Sequence, residues 1–181
     1  MKLLAIRRNL SEPLTETPQV DMLADSSIVL PRNPLFIPDI ATAYTCAVGP
    51  AFRISRLGKH IGLRFAGRYR DAMAPLLRLH PDLPDTASAI YQAFDSAAAL
   101  GSWIPVPEGD FTFAAGVSDP VILSADGLQI DRAIEILSRY FTLKNGDIIV
   151  PGFLPCRFTP EINSRFPVTV NSEKLLDLKF K

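Results

Sequence analysis

The residues that could do chemistry are few: two cysteines, two histidines and 19 acidic side chains balanced by 19 basic ones. Cys46 and Cys156 show no metal-ligand spacing and make no disulfide framework, so they read as buried or half-buried thiols of a reducing compartment. A nucleophilic site would need His60 or His80 beside a serine or cysteine, and neither has an evident partner. A formal net charge of +0 and a sequence pI of about 6.7 give no basic field to hold a phosphate backbone, which argues against nucleic acid as a general partner. No apolar run is long enough to cross a membrane. The stretch Met1–Ile6, followed by Arg7 and Arg8, is too short for a signal peptide and carries its charge on the wrong side, so a cytoplasmic location is expected.

The elements that must position these groups are mostly strands. The chain has 181 residues, 48% of them hydrophobic, enough for one compact domain over residues 1–181. Its 16 prolines, often bracketing short apolar runs, favour a loop-rich β architecture over a helix bundle. Strands are expected at 2–6, 27–30, 51–55, 112–117, 147–150, 167–170 and 174–180. Alternation such as Phe111-Thr112-Phe113 marks half-buried strands, and with Trp103 these rings read as core. The clearest helix runs from Asp131 to Phe141, with Ile130, Ile134, Leu137 and Phe141 forming one apolar stripe and Glu135 placed to pair with Arg139. A second helix is expected over 58–70, with Ile61, Leu63, Phe65 and Tyr69 buried and His60 exposed. A third is expected over 85–91, and His80 falls in a loop beside Pro81.

Beyond these patterns, the block from Asp126 to Ile149 reads as helix, Lys144-Asn145-Gly146-Asp147 turn and strand. With Arg8-Asn9, Leu35-Phe36-Ile37-Pro38-Asp39, Phe52-Arg53-Ile54-Ser55-Arg56-Leu57-Gly58-Lys59, Arg64-Phe65-Ala66, Phe94-Asp95-Ser96-Ala97 and Leu175-Leu176-Asp177-Leu178, it resembles the fumarylacetoacetate hydrolase family in collinear order over most of the chain. The resemblance implies a mixed, β-rich α+β fold, a β-sandwich or roll with few helices, and a homodimer. It also implies one Mg²⁺ or Mn²⁺, chelated by three acidic side chains, that stabilises the enolate formed when 1,3-dicarbonyl and 2-oxo acid substrates are cleaved, decarboxylated or isomerised.

Set on that pattern, the chemistry is missing. The family's Glu-x-Glu metal ligands fall at Ala47 and Gly49, and its third acid falls at Arg78, whose guanidinium repels a cation. Two family lysines fall at Gln92 and in Leu23-Ala24-Asp25, and the Thr-Gly-Thr-Pro segment falls at Pro151-Gly152-Phe153-Leu154-Pro155. Asp39, Asp71 and Asp95 match acids that are not ligands, and their expected roles are caps, salt bridges and turn hydrogen bonds. These substitutions imply no catalytic residue, no metal and no cofactor. The expectation is a non-catalytic member of the fold acting as a binding or structural scaffold. Its one candidate site is an anion site of Arg78, His80 and Gln92 for a small carboxylate, in which the arginine stands where the cation stood. Two alternatives stand beside it: Arg78 as a surface side chain on a shifted loop, or an active metal-dependent hydrolase, decarboxylase or isomerase with relocated ligands.

Overall fold

A computed structural model describes residues 1–83 and 93–181. Its larger sheet has eight strands. Seven lie in the order β2 (Val20–Ala24), β1 (Lys2–Ile6), β10 (Ile148–Val150), β4 (Tyr44–Ile54), β5 (Arg70–Pro81), β6 (Ala98–Leu100) and β3 (Ile28–Val29), and β7 (Ile104–Pro105) pairs with β5. The second sheet runs β12 (Glu173–Lys179), β11 (Arg165–Val170), β8 (Asp110–Ala115) and β9 (Val121–Ser124). The helices are α1 (Leu63–Ala66) and α2 (Ile130–Tyr140). This is the β-rich architecture with few helices that the sequence leads one to expect.

Period-2 alternation explains how the larger sheet is buried on both faces. Even-numbered Leu4, Ile6, Cys46, Val48, Phe52 and Ile54 join one core with Met73, Leu77, Leu79, the apolar stripe of α2 and the inner residues of the second sheet. Odd-numbered Leu3, Ala5, Ala47 and Ala51 join a second cluster with Ala74, Leu76, Ala98 and Phe153 on the opposite face. Phe111 and Phe113 are core as expected, whereas Trp103 is only half-buried and lies under the guanidinium of Arg53, 5.5 Å from its ring centroid.

Two expectations need correction. No long helix spans 58–70. The backbone there is tied to the end of α2: the Gly58 N–H donates to Leu143 O (2.9 Å), His60 N–H to Ser138 O (3.0 Å) and Ile61 N–H to Ser138 Oγ (2.8 Å). Only α1 and a 3₁₀ turn at Gly67–Tyr69 remain, with Leu63 and Phe65 exposed, while Ile61 is buried and His60 exposed as expected. Arg78 and His80, in turn, lie on the twelve-residue strand β5, not in a loop. Pro75 inside this strand speaks against a central position. In the fold it faces Pro50 in register, beyond the stretch where β10 pairs with β4 and between the residues of β5 that pair with β7 and β6. The expected helix at 85–91 lies outside the described residues.

Candidate functional site

The antiparallel register of β4 and β5 brings the three expected ligand positions together. Ala47 is the direct cross-strand partner of Arg78, and Gly49, paired with Leu76, is two residues along on the same face. The positions converge as a metal site requires, but a methyl group, a bare backbone and a guanidinium do not fit a hard divalent cation, which takes oxygen ligands.

Gly49 is also closed by packing. A Cβ built on it would overlap the carbonyl oxygen of Gly152 and lie 3.2 Å from Phe153 Cα, leaving no room for any side chain. The 151–154 segment that presses on it is held from two sides. Leu154 N–H donates to Val48 O (2.7 Å), Phe153 N–H to Arg8 O (3.0 Å) and Leu10 N–H to Phe153 O (2.8 Å). Arg8, itself buried, donates through Nε to Pro151 O (2.7 Å), through Nη2 to Leu128 O (2.9 Å) and through Nη1 to Glu12 O. It is a clamp made of carbonyls from three segments.

Arg78 is 1% exposed, so it is not a surface side chain. Its Nη1 donates to Leu79 O (2.8 Å) and Ala97 O (2.7 Å). Burial pulls its pKa down to about 10, with Asp21 opposing and Arg7 adding to the shift, so it keeps its charge at neutral pH. Asp21, also buried, accepts from Arg7 Nε at 2.5 Å. His80 is half-buried, its ring 6.4 Å from that of Phe153 in an edge-on arrangement. Burial first, then the charges of Arg78, Arg157 and Arg7, push its pKa down to about 3 and keep the imidazole neutral. Three arginines thus act on His80 with one sign, while the buried Asp21 carboxylate offsets Arg7 beside Arg78.

Of the three residues expected at an anion site, Arg78 and His80 share β5, and Gln92 lies outside the described residues. Leu23 is fully buried, and the thiol of Cys46, buried as well, is raised to about 12 by desolvation. Asp71 makes a two-pronged salt bridge to Arg53 (2.9 Å for each bond), the bland role expected of it, and Asp39 and Asp95 are exposed. No group of three or more His, Cys, Asp or Glu among the described residues could hold a metal ion. Sequence reasoning missed Asp21, whose partner Arg7 lies one hairpin away, and the closing role of Arg8, whose acceptors Pro151 and Leu128 are distant in the chain.

A scan of the sequence against protein-family models gives no match, and neither does a search among curated proteins. Solved structures match closely in fold. A Yersinia pestis CO92 protein assigned to the fumarylacetoacetate hydrolase family superposes with a TM-score of 0.80 at 18% identity, covering 99% of this chain and 92% of that one. Fumarylpyruvate hydrolase from Pseudomonas aeruginosa, solved with Mn²⁺ and pyruvate, gives 0.80 at 17% identity, with 99% and 89% covered. For 2-hydroxyhepta-2,4-diene-1,7-dioate isomerase from Mycobacterium marinum the values are 0.83 and 16%, with 99% and 73% covered. The fold of this chain is the fumarylacetoacetate hydrolase fold.

Proposed function

We propose, from that fold and from the side chains at its metal position, that this chain is a divergent member of the fumarylacetoacetate hydrolase family that has given up divalent-metal chemistry and serves as a non-catalytic binding or structural scaffold. The observation that carries the reading is the pairing of Ala47 with the buried Arg78, beside a Gly49 that tolerates no side chain. The residues do not fit a metal, and no step is derived through one. A small carboxylate is the ligand class that suits the remaining groups: Arg78 would supply a fixed charge at low dielectric, with the neutral His80 and Gln92 as further hydrogen-bonding groups. Such a ligand must compete with the Leu79 and Ala97 carbonyls that Arg78 holds now. Homodimerisation and a cytoplasmic location belong to the same proposal.

The test is turnover of an acylpyruvate, followed through loss of its enol absorbance, with and without Mn²⁺. The reading predicts a rate no higher than the buffer background under both conditions. Turnover that depends on Mn²⁺ would overturn it in favour of an enzyme with relocated ligands.

A further inference from the structure

A second site shares no residue with the β4–β5 face. The loop residues Arg32, Asn33 and Pro34 meet Arg165 of β11, Asp177 and Lys179 of β12, and Lys181 around a cleft of about 220 Å³. The loop is fixed there by backbone pairing: Leu35 N–H donates to Lys179 O (2.9 Å), Lys181 N–H to Leu35 O (2.9 Å) and Ile37 N–H to Lys181 O (2.8 Å). Arg165 and Lys179 are direct cross-strand partners, an arrangement of like charges that destabilises a sheet unless something between them compensates. Asp177 compensates in part, accepting from Arg165 at 3.0 Å and Lys174 at 3.2 Å. Among the described residues, no carboxylate lies within ion-pair distance of Arg32, Lys179 or Lys181. Arg32 itself holds a left-handed backbone with φ of 75°, an uncommon and strained state for a non-glycine residue that sets the loop at the cleft.

We propose that this cleft binds a dianionic phosphate group, as inorganic phosphate or as a phosphate monoester. Among side chains, four cationic groups face one carboxylate, an excess of three positive side-chain charges in a chain whose side-chain net charge is +0. The cationic groups come from a loop and two strands, so they can surround a tetrahedral oxyanion, with the arginines forking onto pairs of oxygens and the lysines acting as point charges. The volume lies below the ~300–1,000 Å³ of sites that enclose drug-sized ligands, which limits the enclosed part to the phosphate itself.

The experiment is calorimetric titration of the full chain with inorganic phosphate at constant ionic strength, with methyl phosphate and succinate in parallel. Saturable binding of phosphate is expected, weakened roughly tenfold by Arg32→Ala and by Lys181→Ala, and tightened by Asp177→Asn. Among the described residues, Arg32 and Lys181 are exposed and outside any ion pair, and Lys181 touches only the exposed Phe36 ring at 5.7 Å, so both variants should melt within about 2 °C of the parent. Methyl phosphate binding as tightly as inorganic phosphate assigns a monoester site, and much weaker binding assigns a site for the free ion. Heats no larger than those of chloride, succinate binding as tight as phosphate, or unchanged affinity in both alanine variants would overturn the proposal.

Discussion

Arg78 puts a permanent charge into the interior, and its neighbours are arranged to keep it there. Arg78→Ala leaves a cavity and removes the guanidinium bonds to the Leu79 and Ala97 carbonyls, of which the latter keeps its bond from Leu79 N–H, so it should lower unfolding stability in urea by about 3 kcal/mol. An unchanged midpoint would contradict the buried role. Gly49→Ala should cost about 2 kcal/mol or more, because the added methyl has to displace the Gly152 backbone and not a flexible side-chain end. For His80, folding lowers the pKa from 6.5 to about 3, so between those values the unfolded chain binds a proton that the folded chain refuses. Its contribution is therefore complete above about pH 6.5 and declines as the pH falls towards 3. His80→Gln should flatten the dependence of urea stability on pH over that window. The positions that the family resemblance assigns to metal ligands could be named from the sequence as Ala47, Gly49 and Arg78, and the register of β4 and β5 sets them side by side. Their closure was not legible, because it comes from the 151–154 segment and Arg8, distant in the chain.

Among the elements, the short alternating strands were legible and the long central one was not. β1 was expected with its observed bounds, and β10, β11 and β12 to within two residues, because each carries a compact apolar signal. β5 was hidden by Pro75, whose missing N–H is harmless only where no neighbouring strand asks for it. The 58–70 stretch failed in the other direction: its apolar spacing looks helical, but tertiary hydrogen bonds to Ser138 and Leu143 claim the backbone. The Lys144–Asp147 turn shows what does hold elements together. Asp147, nearly fully buried, accepts from Lys2 N–H (3.0 Å), Lys144 N–H (2.8 Å) and the Lys2 ammonium, joining β1 to the turn before β10. Burial tends to raise its pKa, but the bonds from Lys2 and Lys144 outweigh burial and hold it below 3.8. Asp147→Ala should cost about 2 to 3 kcal/mol at neutral pH. Because a depressed carboxylate pKa gives stability that is present above the unfolded value and lost as pH falls through the folded one, the difference between variant and parent should shrink below about pH 3.8.

At the scale of the whole molecule, the fold was legible from collinear short matches although overall identity to the solved structures is only 16–18%. A fold retains its core pattern while individual polar groups change, so architecture and site can part company. Here Ala47, Gly49 and Arg78 lie together on β4 and β5, and none of the three carries a carboxylate. The expected homodimer is checked by sedimentation velocity across a range of concentrations: a single species at twice the mass of the 19.9 kDa chain is predicted, and a monomer throughout would remove it. The most direct measurement is a calorimetric titration of the protein with Mn²⁺ in the presence of oxalate, a mimic of an enolate. With Ala47, Gly49 and Arg78 at the positions that the family resemblance assigns to carboxylates, no stoichiometric Mn²⁺ binding is predicted, and oxalate bound without metal would weaken on Arg78→Met. Tight binding of one Mn²⁺ per chain would contradict the loss of the metal site and return the protein to the metal-dependent enzymes.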